Sequence, residues 1–329
     1  MTSPSFLAFR RLGLAFGAAL VVALCLNGAR GLAADAPERP FNPPVGSRWI
    51  IESEADSRET RPDGNRNTVV TSRAEVTVDE KTSDGFRISY VRRKTTVEGN
   101  APAVALMRTA IQALENVPIR ATTDRSGKPI RIDNLDEAKT ALRSMAEKIT
   151  APVKDKPQVF AMLSQVFAGM IDVDAEKAAT TFVDEMPVLA KAQATGMKPG
   201  EARRSANVVE NPLGGGPLKS NMTLELTQAD AASGKRVYVH TTSYDVDSLK
   251  EFTQSMSKKL LATAGGGATP AQVEEIVKAM TLSLDQRAVF EVEDGITRKI
   301  SEKSVTTVRA LGQNLQKTEN KTITVTRAP

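Results

Sequence analysis

The chain has 329 residues, with 44 Lys and Arg against 39 Asp and Glu, one histidine, one cysteine and a formal net charge of +5. A single cysteine excludes an intrachain disulfide framework and any metal site built from several thiolates. The near balance of charge and the 4% of aromatic residues do not favour nucleic-acid binding, which uses clustered cations and stacking aromatics.

The N-terminus has the three parts of a secretory signal. An arginine pair precedes an apolar run over 12–26, and small residues follow this run. Because the run is shorter than the roughly 20 residues that cross a bilayer, it predicts a cleaved signal over 1–34 and no membrane span in the mature protein. The predicted location is therefore periplasmic. Lipid attachment at Cys25 is disfavoured because Leu24, rather than a small residue, precedes it.

The first half of the mature chain is predicted to be mostly β. A Pro-rich linker over 35–46 leads into segments rich in Val, Ile, Thr and aromatics, which Gly, Asp and Asn turns separate. The predicted strands cover 47–55, 67–79 and 85–97, and a hairpin over 117–133 follows. Ser126-Gly127 supplies the turn of this hairpin.

Helices are predicted for the middle of the chain. Asn134 and Glu137 have the spacing of a capping box, and apolar residues then recur on one helical face. Those residues are Leu135, Ala138, Leu142, Met145 and Ile149. Pro157 suits the first turn of a second helix, and a third helix is predicted between Asp174 and Pro187.

The second half again runs from strands through helices to strands. Strands are predicted over 202–210, 219–228 and 235–246, helices over 247–263 and 270–280, and strands over 283–293, 296–310 and 313–327. The last two strands are expected to form a hairpin. The two halves, 47–200 and 201–329, are expected to share one sheet.

Two pairs of segments suggest an internal duplication. Residues 84–97 align with 233–246, and 125–132 align with 293–300, with glycines at matching places. The common chemistry of a turn followed by a strand explains the same matches without a duplication. Both explanations stay open.

The predicted fold class is α+β, a long-stranded, curved antiparallel sheet or incomplete β-barrel covered by amphipathic helices, with two similar halves as an option. Export, long strands and covering helices together resemble the bacterial lipoprotein-carrier type of envelope protein. That resemblance implies an open barrel that shields an acyl chain beneath helices. The segments VPIRATTDRSGKPIRID and RAVFEVEDGITRKI are similar to segments of uncharacterised exported bacterial domains. No functional residue is carried over from either resemblance.

The sequence has no complete catalytic motif. No G-x-S-x-G nucleophile elbow occurs, and the single histidine restricts any Ser-His-Asp triad to His240. Ser255 and Lys258 match S-x-x-K, but S-D-N and K-T-G do not follow. The helical pattern also places Lys258 opposite the apolar face. No catalytic residue is therefore assigned.

Metal and cofactor sites are not predicted. Asp172 and Asp174 pair carboxylates two residues apart, as do Asp245 and Asp247. Each pair precedes a predicted helix and suits an N-cap, and neither has the spacing of a calcium loop. The two runs of three glycines lack the Lys and Ser/Thr of a phosphate loop. The expectation is a protein without cofactor or metal.

His240 lies in the strand predicted over 235–246. Alternation places it on the same strand face as Tyr238, opposite Val237 and Val239. The valine face is predicted to be the core face. His240 is therefore interpreted as a structural or surface residue.

These patterns favour a non-enzymatic periplasmic protein that binds an apolar ligand such as a lipid, or that serves as an interaction scaffold for an envelope protein. One alternative is an exported hydrolase whose site is assembled from residues distant in sequence. Another is a purely structural role, in which the helices complete a solid core. The candidates for lining a ligand site are the apolar helix residues Phe160, Leu163, Phe167, Met170, Leu249, Phe252 and Met256.

Overall fold

One antiparallel sheet dominates the structure. The computed structural model describes residues 41–101, 104–105, 108, 115–155, 157–182, 196–209, 218–230, 232–252, 254–255, 281–310 and 313–329. The strands are β1 (Arg48–Arg61), β2 (Gly64–Lys81), β3 (Gly85–Gly99), β4 (Pro118–Asp124), β5 (Pro129–Ile132), β6 (Ala202–Val209), β7 (Leu218–Ala229), β8 (Lys235–Tyr244), β9 (Thr281–Glu293), β10 (Ile296–Ala310) and β11 (Gln313–Arg327).

The strands form a meander in which the first strand also pairs with the last. Their spatial order is β5-β4-β3-β2-β1-β11-β10-β9-β8-β7-β6. β1 and β11 run antiparallel, with Trp49 opposite Arg327 and Thr60 opposite Gln316. The sheet is not closed, since β5 and β6 are its two edges. The antiparallel sheet predicted from the strand patterns is confirmed.

Side chains along each strand alternate between a buried and an exposed face. On β1, Ile51 is 1% exposed, whereas its neighbour Glu52 is exposed. Directly opposed residues of neighbouring strands share a face, so this alternation extends across the sheet. Ile51, for example, is opposite Ala74, which is fully buried. We call the buried face the inner face.

The inner face carries one continuous apolar core. Its buried side chains come from strands as far apart as β4 and β7. Burying one large apolar side chain of this kind contributes roughly 1.5–3 kcal/mol. Phe41, in the segment predicted as a linker, belongs to this core and packs edge-on against Phe86, with ring centroids 5.3 Å apart.

Three helices follow β5. They are α1 (Leu135–Thr150), α2 (Pro157–Ile171) and α3 (Ala175–Phe182). α1 buries the face predicted from its periodicity, namely Ala138, Leu142, Met145 and Ile149. α2 begins at Pro157, as predicted. The contacts that these helices make with strands are mainly with β4 and β5.

The predicted α+β class is wrong. The described part of the chain is mostly β, and α1, α2 and α3 lie at the β4–β5 end of the sheet instead of covering its face. The amphipathic pattern was correct, because α1 does bury its apolar side. Such a pattern shows only that a helix covers some apolar surface, and here that surface is one end of a much wider sheet.

The predicted capping box of α1 is also wrong. The Asn134 side chain makes no capping hydrogen bond to the helix. Its Oδ1 accepts from the Arg120 amide at 2.8 Å, and its Nδ2 donates to the Pro118 carbonyl at 2.8 Å and to Glu137 Oε2 at 2.7 Å. Asn134 therefore ties the start of α1 to β4.

Two hairpins were predicted in the sheet. The β4–β5 hairpin is confirmed, and Gly127 takes the left-handed conformation of its turn, with φ +80°. The β10–β11 hairpin is confirmed as well.

The signal over 1–34 and the helix over 270–280 lie outside the described residues. Both halves of the sheet are meanders, and since any two meanders share a strand order, the duplication stays a prediction.

Among the residues that the structure describes, no helix is both long and apolar enough to cross a membrane.

Candidate functional site

The inner face changes from apolar to polar along the strands. We call its apolar region the apolar zone, which includes Trp49, Ile51, Ala74, Val76, Tyr90, Tyr238, Phe290, Ile300, Ile323 and Val325. We call its polar region the polar belt, which comprises Ser57, Glu59, Arg61, Arg66, Thr68, His240, Thr242, Tyr244, Gln286, Glu302, Ser304, Lys317, Glu319 and Lys321. The belt side chains are half-buried. This burial indicates a polar surface that solvent partly reaches.

Strand register places the belt residues side by side. Glu302 on β10 is directly opposite Lys321 on β11. Glu59 on β1 is opposite both Arg66 on β2 and Lys317 on β11. Opposite charges that face each other across neighbouring strands attract, and this attraction favours the observed register.

Two ion pairs of the belt have little exposed side-chain surface. The Arg61 Nη2 to Glu59 Oε1 distance is 2.6 Å, and these side chains are 7% and 16% exposed. The Lys317 Nζ to Glu319 Oε2 distance is 2.9 Å, with exposures of 14% and 30%. Withdrawing charges from water is costly, so such pairs add little net stability. They do maintain strong local fields.

Tyr244 contributes a neutral hydroxyl to the belt. Its hydroxyl donates to Gln286 Oε1 at 3.1 Å. Burial, together with the negative charge of Glu302, raises the pKa of Tyr244 to about 12. The hydroxyl is therefore protonated at every physiological pH and is able to donate a hydrogen bond.

A row of apolar residues borders the belt on the side away from the apolar zone. Leu282, Val308 and Leu315 are directly opposed on β9, β10 and β11. Each is half-buried. They lie on the inner face, because Leu284 and Thr306, two residues along their strands, are 6% and 3% exposed. We call Leu282, Val308 and Leu315 the apolar rim.

The structure corrects the predicted orientation of His240. Its strand buries Tyr238, which is 2% exposed, whereas Val237 and Val239 are only half-buried. His240 thus lies on the inner face, opposite Leu224 on one side. Its ring centroid is 6.3 Å from that of Phe290, tilted by 55°. The valine face is not the core face.

The predicted ligand-lining residues lie in separate places. Phe167 of α2 is part of the core, with Leu163 packed against it, and Phe160 is half-buried. Leu249 and Phe252 belong to a helical segment that begins at residue 246, and both are buried outside that core cluster. The Met170 side chain and Met256 lie outside the described part of the structure. Their predicted role in ligand lining stays a prediction.

The predicted N-cap at Asp245 is confirmed. Its Oδ1 accepts a hydrogen bond from the Ser248 amide at 2.8 Å. Asp174 stands immediately before α3. In the described ranges, no three His, Asp or Glu residues are grouped so that they would hold a metal ion. Ser255 is half-buried at the end of the described helical segment, and Lys258 lies beyond it.

The polar belt was missed at the level of sequence. On β1 the apolar alternation ends near Ala55, so the strand was predicted to stop there, whereas it continues to Arg61. Ser57, Glu59 and Arg61 continue the same two-residue period in polar residues. This two-residue period was the only sign in the sequence that the strand continues. A run of polar residues is, however, also typical of a solvated loop or an edge strand.

Comparisons with known proteins do not identify a family. No family model and no curated protein matches the chain. A solved structure on lipid–protein interactions in lipovitellin has 8% identity and a TM-score of 0.42, covering 87% of this chain and 26% of the other. DynF from Micromonospora chersina has 7% identity and a TM-score of 0.19, covering 89% and 92%. An outer-membrane channel from Pseudomonas putida F1 has 8% identity and a TM-score of 0.15, covering 89% and 100%.

These similarities are too low to support a functional argument. The chain spans about a quarter of the lipovitellin chain that it matches. The resemblance to lipoprotein carriers is not tested by these structures and stays a prediction. The function is therefore argued from the geometry of the inner face.

Proposed function

We propose that this protein is a non-enzymatic, exported envelope protein that binds an amphiphilic lipid on the inner face of its sheet. The observation that carries the proposal is the apolar rim beside the polar belt. Leu282, Val308 and Leu315 keep part of their apolar surface accessible next to half-buried charges and hydroxyls. An amphiphile presents the complementary pattern, an apolar chain attached to a polar head.

The energetics favour this match. Each methylene of an acyl chain that leaves water for the rim contributes about 0.8 kcal/mol. The head would replace water around belt groups such as Tyr244 and Gln286. The side chains of these two residues are already held in place by the hydrogen bond between them. A small number of fixed polar groups next to apolar surface is typical of lipid and small-molecule sites.

Binding is proposed rather than catalysis because the sequence contains no complete nucleophile motif. The periplasmic location is part of the proposal and is supported by the N-terminal pattern over 1–34. An interaction scaffold with a filled interior is the alternative that the following experiments separate from a lipid-binding protein.

The first experiment titrates the protein with dansyl-undecanoic acid and follows dansyl fluorescence. The double variant Val308→Ser/Leu315→Ser should bind this probe about tenfold or more weakly, because two apolar contacts are lost. The matched control is Val208→Ser/Val246→Ser, which changes two residues that are 49% and 76% exposed. The control should bind like the unchanged protein, and equal affinities of all three proteins would refute a site at the rim.

A second experiment locates the bound probe. Trp49 is the only tryptophan, so the double variant Trp49→Phe/Val308→Trp moves the fluorescence donor from the apolar zone to the rim. Energy transfer to the dansyl group should increase in this variant. Native mass spectrometry of protein from its own envelope fraction should show a co-purified lipid. If no lipid co-purifies and no probe binds, the scaffold alternative replaces the proposal.

A further inference from the structure

One row of polar side chains crosses six strands within the polar belt. Each member is directly opposite the next on the neighbouring strand, from β8 through β9, β10, β11 and β1 to β2. All six are half-buried, and four of them carry a hydroxyl. We call this set the hydroxyl row, which comprises Thr242, Gln286, Ser304, Glu319, Ser57 and Thr68. The row therefore places hydrogen-bonding groups at intervals of about 5 Å across the inner face.

The hydroxyls of this row differ from another hydroxyl pair on the same strands. Ser53 and Ser72 are directly opposed on β1 and β2, and their hydroxyls hydrogen-bond to each other at 2.7 Å. Ser57 and Thr68 are directly opposed on the same face, four residues further along. Within the described ranges, no group of the chain hydrogen-bonds to the four hydroxyls of the row. Since half-buried polar groups normally have a hydrogen-bond partner, these hydroxyls obtain theirs from solvent or from a ligand.

The charged side chains of the belt lie beside partners of opposite sign. These partners are Arg61–Glu59, Lys317–Glu319, Arg66–Asp63 and the directly opposed Lys321 and Glu302. A charged head would lose hydration beside charges that are already compensated, which is energetically unfavourable. A neutral head with hydroxyl groups avoids this cost and can both donate to and accept from the hydroxyl row.

Apolar side chains flank the hydroxyl row on both sides. Towards the apolar zone, Ala55 is two residues from Ser57, about 7 Å along β1, and it is directly opposite Val70. Both Ala55 and Val70 are half-buried. Towards the apolar rim, Val308 is four residues from Ser304, about 14 Å along β10. A head bound at the row is therefore within reach of surfaces for an acyl chain, which a free polyol lacks.

We infer that the polar belt binds neutral lipids whose head carries several hydroxyl groups, and that the hydroxyl row recognises this head. The inference rests on the proposed function and specifies the ligand class for the same site. Glycerol and sugar heads share the chemistry that the row recognises, because each of their hydroxyls both donates and accepts. Such a head would supply hydrogen bonds to the row without disrupting the Arg61–Glu59 and Lys317–Glu319 pairs, which are already formed.

The test compares different heads on one acyl chain. Dansyl-undecanoic acid is compared with its methyl, glyceryl and glucosyl esters. The unchanged protein should bind the better of the two hydroxylated esters about tenfold more tightly than the methyl ester, because two or more hydrogen bonds are gained. The tighter of these two esters identifies glycerol or a sugar as the head. The free acid should bind no more tightly than the methyl ester, and added salt should not weaken the hydroxylated esters.

Two double variants assign the preference to the hydroxyl row. Ser57→Ala/Ser304→Ala removes two hydroxyls of the row and should reduce the tenfold preference to about one. Ser53→Ala/Ser72→Ala is the matched control, because its two inner-face hydroxyls already bond to each other, and it should keep the preference. Far-UV circular dichroism checks that both variants fold. An equal concentration of free glycerol should not displace the glyceryl ester, because glycerol has no acyl chain.

Each outcome separates this inference from the proposed function. Equal binding of all three esters by the unchanged protein would overturn the inference and leave lipid binding intact. Tighter binding of the free acid than of the esters, or displacement of the probe by free glycerol, would overturn it too. So would a preference that persists in Ser57→Ala/Ser304→Ala or disappears in Ser53→Ala/Ser72→Ala. If no probe binds, both proposals fail. The comparison of heads uses only the unchanged protein and is decisive even if a variant does not fold.

Discussion

The apolar zone and the polar belt lie on the same face of the same strands, yet they differ in what they do for the molecule. On β1, Ile51 is 1% exposed in the zone, whereas Glu59, four pleats further on, carries a charge that pairs with Arg61. The zone removes apolar surface from water and stabilises the sheet. The belt holds half-buried charges that contribute little to folding. A surface that is costly for stability is the one on which we proposed that the ligand binds.

The largest difference in the free energy of unfolding should appear when a large side chain of the apolar zone is truncated. Phe290 on β9 is 3% exposed and belongs to the core, so Phe290→Ala should lower the free energy of unfolding by about 3–5 kcal/mol. Urea unfolding followed by circular dichroism measures this change. Val246→Ala, at a residue that is 76% exposed, is the control and should stay within about 0.5 kcal/mol. Similar losses in both variants would contradict the assignment of the core.

A smaller effect is expected when one charge of the belt is left without its partner. Glu59→Gln should lower the free energy of unfolding by about 2 kcal/mol, because Arg61 is only 7% exposed and loses its counter-charge. The matched change on the outer face is Glu80→Gln. Its partner Arg87 is 55% exposed, so the loss should be about 0–1 kcal/mol. Chemical denaturation compares the two, and a larger loss for Glu80→Gln would reverse the predicted contrast.

The smallest effect concerns the titration of Tyr244 in the belt. Its folded pKa of about 12 lies above the ordinary value of 10.0, so the unfolded chain ionises first as the pH rises. The titration of Tyr244 therefore leaves the free energy of unfolding unchanged below pH 10 and lowers it between pH 10 and 12. Relative to Tyr244→Phe, the unchanged protein should lose about 1–2 kcal/mol more in this window. Parallel pH profiles of the two proteins would show that the hydroxyl is not held in its neutral form.

The control for Tyr244 is its charged neighbour. Glu302→Gln removes the negative charge that helps to raise the pKa of Tyr244, while the larger cause, burial, is retained. The pKa of Tyr244 should fall in this variant but stay above 10.0. Spectrophotometric titration of the tyrosines measures it. A rise in pKa on removal of Glu302 would place Tyr244 in a different environment.

Local sequence chemistry predicted much of the sheet. Alternation of β-branched and polar residues located the long strands, and the turn at Gly127 was correct because its left-handed backbone favours glycine. The face that α1 buries was also correct. The fold class was wrong because amphipathic helices reveal an apolar partner surface without its extent. The capping role of Asn134 was wrong because β4, which is distant in sequence, provides competing hydrogen-bond partners.

The sequence by itself determined where strands and helices form, since propensity and periodicity act between near neighbours. Only the tertiary structure decided which face of a strand is buried and where that face becomes polar. In β8 the valines suggested one core face, but pairing with Leu226 and Phe290 buries Tyr238 and turns His240 inward. The polar belt likewise exists only because six of the eleven strands align their polar positions in register. Both features depend on long-range pairing, which no short segment encodes alone.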